Sequence, residues 1–171
     1  MEFLTLIEER HSTRAYQDRS VEQEKLDTIL HAANRAPSAG DLQAYSIVVV
    51  RSPAARQALA KAAVDQQFVG QAPVVLVFLA ESARASEKYG HRGESLYALQ
   101  DATIACAYAQ LAAHDVGLSA CWVGAFRKRE VQEILGATEG QTPVALLPIG
   151  YAGESPLVTP RRPLSEMVRE A

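Results

Sequence analysis

The sequence predicts an α+β fold in one domain spanning residues 1–171, and three features carry that expectation. Four apolar segments, Ile47–Val50, Pro73–Ala80, Leu118–Val123 and Pro143–Ile149, read as about four strands of one sheet. The helical segments between them do not alternate strand by strand, which argues against a doubly wound parallel sheet. From Gly150 the character changes: Pro156, Pro160 and Pro163 punctuate a stretch with few apolar anchors. Residues 152–171 are therefore expected to form an extended arm that lies on another surface, such as a partner chain.

Each element has a local reason. Phe3–Arg10 reads as a short helix with Phe3, Leu6 and Ile7 on one side, stopping at the polar run Arg10–Arg14. A second helix starts near Ser20, where Ser20 and Gln23 fit a capping box, and carries Leu26, Ile29, Leu30 and Ala33 as its apolar stripe. It ends before Pro37, and Ala36–Asp41 reads as a turn-rich loop. Pro53–Ala63 returns to helix with proline in its first turn. Pro73–Ala80 is apolar without alternation, so both faces of that strand are expected to be covered. Between Glu81 and Gly93 the chain is polar and punctuated, an expected exposed excursion. Glu94–Val116 is the longest predicted helix, about six turns. Its centre is crowded with alanine, which lets neighbouring backbones approach closely, and Gly117 suits its C-terminal cap. Arg127–Leu135 reads as a further helix, and Leu164–Val168 as a weak helical pattern in the arm.

Composition excludes several classes. Hydrophobic residues make up 48% of the chain, enough for a core and too many for disorder. The net charge of −3 leaves no electrostatic footprint for nucleic acid. No apolar run approaches the ~20 residues of a membrane helix. Met1–Tyr16 is interrupted by Glu8, Glu9, Arg10 and Arg14, so no secretory signal is read and a cytoplasmic protein is expected. The two cysteines, Cys106 and Cys121, point to free thiols rather than a disulfide scaffold. His11, His31, His91 and His114 lack metal-ligand spacing, so no metal site is expected. Ser12, Ser38 and Cys121 have no evident base partner, which disfavours a hydrolytic triad. Neither G-x-G-x-x-G nor a Walker A loop is present.

Four clusters offer chemistry. In Arg10-His11-Ser12-Thr13-Arg14, residues 10, 12 and 14 alternate, so an extended chain would aim two guanidinium forks and a hydroxyl the same way, a set that suits phosphate. The alternative is a solvated turn. Pro37–Gln43 combines a tight backbone path at Gly40 with polar groups at Asp41 and Gln43, and reads either as an ordinary turn or as a rest for a polar ligand edge. Cys121–Phe126 ends a strand at Gly124, where backbone N–H groups can meet a ligand closely. Arg161-Arg162 is a second basic pair, in the arm.

These clusters, with Gln100-Asp101-Ala102, Gly117–Gly124, Pro148–Tyr151 and Arg161–Leu164, occur in an order that resembles the nitroreductase family, the FMN-dependent NAD(P)H oxidoreductases. The match runs from Phe3 to Val168. The resemblance implies a central mixed, mostly antiparallel sheet of four to five strands surrounded by helices. It also implies a homodimer that exchanges C-terminal arms, with FMN bound at the interface and NADH or NADPH as hydride donor. Carried over residue by residue, Arg10, Ser12 and Arg14, with His11 beside them, fall at the phosphate and ribityl contacts. Pro37, Ser38, Ala39 and Asp41 fall along the isoalloxazine, from the partner subunit, with Gln43 near. Val123 and Gly124 present backbone N–H groups toward flavin N5, and Arg161, or else Arg162, returns to the phosphate. No side-chain acid or base is implied.

The implied reaction passes hydride from NAD(P)H to flavin N5. Two electrons then go to a nitroaromatic, quinone or flavin-type small-molecule acceptor in a ping-pong sequence. Alternatives on the same scaffold are a flavin-destroying enzyme, a reductive dehalogenase, an azoline dehydrogenase, or a non-catalytic flavin-binding dimer. This chain departs from the family in two places. Asp41 stands where the family commonly has Asn, and a carboxylate only accepts hydrogen bonds. The stretch Gln66–Gly93 is short where larger relatives insert covering helices, which implies an open pocket.

Overall fold

The computed structural model describes residues 1–170. Its centre is strand β2, Val74–Glu81, preceded by β1, Tyr45–Val50, and followed by β3, Ser119–Ala120, and β4, Gln141–Gly150. The order across the sheet is β1-β2-β4-β3, and every neighbouring pair is antiparallel. The parallel component expected of a mixed sheet is confined to an isolated bridge between Ser12 and Ala120. β2 is buried along its length up to Glu81 because both faces are covered. Val74, Leu76 and Phe78 join one cluster with Leu26, Ile29, Ala105 and Ala109. Val75, Val77 and Leu79 join the other, with Leu59, Val69 and Val131. That division follows directly from the two-residue period of a strand.

The helices are α1 (Phe3–Glu9), α2 (Gln23–Asn34), α3 (Pro53–Ala62), α4 (Gln67–Gln71), α5 (Ser82–Arg92), α6 (Ala98–Asp115) and α7 (Lys128–Leu135). Leu26, Ile29 and Ala33 of α2 are buried as their spacing predicts. The alanine-rich α6 buries Ala102, Ala105, Cys106, Ala109 and Ala113. Phe3, Leu4 and Ile7 of α1 are exposed, as are Leu157, Val158, Leu164 and Val168 in the arm.

Several expectations need correction. The Ser20/Gln23 capping box does not form: Glu22 is the N-cap residue of α2 and no side chain caps it. Gln23 instead donates to Asp27 and accepts from Arg51. The polar stretch after Glu81 is not an excursion. It is α5, whose Ala85 packs into the core and against which Gly93 closes so tightly that a Cβ there would meet the Ala85 carbonyl. The long helix does not start at Glu94 as regular α-helix, since Gly93–Tyr97 forms a π-helical turn before α6. The third strand is shortened to Ser119–Ala120, with Val123 joined to β4 by a single bridge. α4 carries no periodic signal because it is five residues long, yet it supplies Phe68 and Val69 to the core. Among the described residues the arm's only regular turn is Leu164–Glu166.

Candidate functional site

The segment after α1 is extended and stitched to the sheet. Thr13 N–H donates to Ala120 O at 3.3 Å, Gln17 N–H to Tyr151 O at 2.9 Å, and Gly153 N–H to Ala15 O at 2.8 Å. The Tyr16 hydroxyl donates to Thr13 O (2.9 Å) and Pro148 O (3.1 Å), and burial pushes its proton affinity far up. Thr13 is buried, so its neighbours Ser12 and Arg14 face the other way. Arg10, His11, Ser12 and Arg14 line one cavity of about 680 Å³, and the arm brings Arg161 to its wall.

The charges here are unbalanced. Among the described residues Arg10, Arg14 and Arg161 form no ion pair, although Glu154 accepts from the Arg14 backbone N–H at 2.7 Å. Burial, and after it the nearby Arg161 charge, lower the proton affinity of Arg10. Glu8 and Glu154 share the wall but pair with none of these guanidinium groups, and three arginines against two carboxylates leave the cavity positive, with donors that match phosphate geometry. Arg162 does not join it: Arg162 pairs with Glu166 at 3.4 Å and is absent from the cavity wall. Cys121 lies beneath this segment. Burial pushes its thiol up, while Arg14, the Ser12 hydroxyl and Arg10 pull the other way.

Pro37, Ser38 and Ala39 line a different cavity, of about 530 Å³, against the start of α6. The two cavities share no wall residue. The loop that follows takes an unusual path, with φ of +59° at Gly40, +56° at Asp41 and +44° at Gln43. Gln43 N–H donates to Ser38 Oγ at 3.0 Å, and the Gln43 side-chain amide donates to an Asp41 carboxylate oxygen. One oxygen of Asp41 is therefore engaged within the loop itself. Its carboxylate takes there the acceptor role that is the only one open to it.

Val123 departs from its expected role. Its N–H donates to Leu146 O at 2.9 Å, so the sheet already occupies it. The Gly124 N–H has no acceptor among the described residues and Gly124 is exposed, so only the second of the two expected backbone donors is available. Among the described residues no cluster of three potential metal ligands occurs. Nor is any helix among them long and apolar enough to cross a membrane.

Sequence reasoning missed Asp101 as a site residue, although Gln100-Asp101-Ala102 carried part of the resemblance. Its carboxylate is buried behind the loop, accepting from Ala39 N–H at 2.9 Å and Ala44 N–H at 3.3 Å. It also missed Arg84 and Lys88 of α5, which hold the loop's other side. Their only sequence signal was a basic residue every four positions in a stretch that looked like a loop.

The chain is similar to an NADH dehydrogenase of Thermus thermophilus, 32% identical over 186 residues covering 93% of this chain and 91% of that one. It is 30% identical to an FMN reductase (NAD(P)H) of Bacillus subtilis, covering 95% of this chain and 70% of the relative. Among solved structures, the NADPH:FMN oxidoreductase of Vibrio harveyi complexed with NAD+ superimposes with a TM-score of 0.89 at 28% identity, over 98% of this chain and 76% of that chain. A nitroreductase family protein of Streptococcus pneumoniae superimposes with a TM-score of 0.90 at 25% identity, over 99% and 100%. The model of the nitroreductase family matches residues 7–69 and 61–151. Sequence and fold agree, and the chain belongs to the nitroreductase family.

Proposed function

We propose that this protein is an FMN-dependent oxidoreductase that draws electrons from NADH or NADPH. The carrying observation is the unpaired arginine cavity of Arg10, Arg14 and Arg161, a set of donors that fits the phosphate of FMN. The relatives named as FMN reductase and NADPH:FMN oxidoreductase support the same reading. Bound there, FMN would supply the two-electron chemistry that links NAD(P)H to nitroaromatic, quinone or flavin-type acceptors in ping-pong order.

The chain's own residues bind and orient. Arg10, Ser12, Arg14 and Arg161 hold the phosphate and offset its charge, with His11 on the same wall. Pro37, Ser38, Ala39, Asp41 and Gln43 flank the ring, and the free Gly124 N–H meets its edge. Val123 helps through the sheet bridge that fixes the strand end. Arg162 has no role at the phosphate.

Pro37, Ser38 and Ala39 line a different cavity of the chain from the arginines. A homodimer resolves that separation, with one protomer supplying the arginines and its partner the loop. The exposed apolar residues of α1 and the arm support it, since surfaces of this kind mark association. Sedimentation is expected to give a dimer, and a stable flavin-loaded monomer would refute the shared site. The functional reading is tested by comparing FMN with riboflavin, which lacks the phosphate. FMN is expected to bind apoprotein at least about 100-fold more tightly, as two or more charge-assisted hydrogen bonds require. Equal affinity would remove the role of the arginines.

A further inference from the structure

Asp101 is a carboxylate buried in the first α-helical turn of α6, just after the π-helical turn Gly93–Tyr97. It forms no ion pair among the described residues. Both of its oxygens face one loop, one accepting Ala39 N–H at 2.9 Å and the other Ala44 N–H at 3.3 Å. Between those two amides the chain passes through the left-handed conformations of Gly40, Asp41 and Gln43. Asp41 and Gln43 are not glycine, so this path is disfavoured for the isolated chain.

The loop is held from its other side as well. Arg84 Nε donates to Leu42 O at 2.6 Å and Lys88 Nζ to Gly40 O at 3.4 Å. Two amides are thus fixed by α6 and two carbonyls by α5. A strained backbone persists only where its surroundings over-determine it, and such segments concentrate at ligand sites.

We propose that Asp101 is the positioning residue of this loop: its carboxylate clamps the Ala39 and Ala44 amides and keeps Ser38–Gln43 in the path that presents Ser38, Asp41 and Gln43 to the flavin. Asp101 acts through the loop and not on the reacting atoms. The role needs two acceptor oxygens on one side chain, which aspartate has and asparagine lacks, because an amide turns its NH2 toward one of the two N–H donors. This inference rests on the FMN-binding reading above.

The test uses the full-length apoprotein, wild type and Asp101→Asn, with three readouts. Hydrogen exchange of the Ala39 and Ala44 amides reports the clamp without any ligand. FMN affinity and the visible spectrum of bound FMN report its consequence. In Asp101→Asn at least one of the two amides is expected to exchange at least about tenfold faster, while β2 keeps its protection. FMN affinity is expected to fall about tenfold or more, with a shifted spectrum that a loss of general stability does not produce. Unchanged exchange at both amides together with unchanged FMN affinity overturns the proposal. If Asp101→Asn does not fold, the wild-type apoprotein decides: protected Ala39 and Ala44 amides support the clamp, and amides exchanging as in an open loop refute it. Failure of the wild type to bind FMN overturns the functional reading instead, and the amide exchange then still reports on the clamp.

Discussion

The arginine cavity and the Ser38–Gln43 loop differ in what fixes them. In the cavity the side chains carry the property: Arg10, Ser12 and Arg14 leave an extended segment at alternate positions, and Arg161 comes from an arm with almost no regular structure. In the loop the backbone carries it, through left-handed conformations held between α6 and α5. A binding site of the first kind is set by charge and fails when charge is removed or screened. One of the second kind is set by shape and fails when a distant support is lost.

The largest effect is expected from removing charge. Replacing both Arg10 and Arg14 by alanine deletes two charge-assisted contacts of about 1.5–3 kcal/mol each. FMN affinity is expected to fall at least about 100-fold in calorimetric titration. Raising salt weakens wild-type binding, because the Debye length shrinks to about 10 Å at 0.1 M and the cavity is partly open. The double variant is expected to lose most of that salt dependence. Retention of affinity within tenfold would erase the distinction between the two regions.

Gly40→Ala probes the loop. A left-handed non-glycine residue costs about 1–2 kcal/mol. The new Cβ would also stand 2.3 Å from the Tyr89 hydroxyl oxygen and 2.7 Å from Lys88 Nζ, both of which must move. About a tenfold loss of FMN affinity is expected, equal at low and high salt. A salt-dependent loss would place Gly40 with the charges.

The arm sharpens the comparison further. Arg161→Ala is expected to weaken FMN binding about tenfold. Arg162→Ala is expected to leave it within about twofold, because an exposed pair such as Arg162–Glu166 contributes little. Equal losses would show that the arm moves to bring both to the phosphate.

The smallest effect lies outside both regions. Tyr151 donates to Glu22, and Arg19 stands 3.7 Å over the Tyr151 ring. The Tyr151 hydrogen bond and the neighbouring Arg19 lower the Glu22 carboxyl from 4.5 to about 2. A carboxyl depressed on folding stabilises above its ordinary value and loses that contribution as pH falls through its folded value. Glu22→Gln is therefore expected to flatten the acid dependence of stability between pH 4.5 and about 2, read by urea unfolding. FMN affinity at neutral pH should not change.

The two regions also differ in how much the sequence revealed. The alternation of Arg10, Ser12 and Arg14 is local, and an extended segment aims such residues together wherever it lies. The core was legible for the same reason, since β2 is apolar from Val74 to Ala80 and α2 repeats Leu26, Ile29 and Ala33 at helical spacing. The loop was not legible, because its geometry depends on Asp101, 62 residues from Ala39, and on Arg84, 42 residues from Leu42. α5 was misread because a polar helix packed through one alanine and one glycine has almost no apolar stripe. Val123 shows the same limit at one atom: nothing local tells that its N–H is already bound to Leu146.

The central claim is best tested by titrating the purified FMN-loaded protein with NADH, then NADPH, under anaerobic conditions while following the visible flavin absorbance. One nicotinamide or the other is expected to bleach the bound flavin fully at one equivalent per site. A protein that neither carries FMN nor takes it up, or whose bound flavin stays oxidised with both nicotinamides, would contradict it.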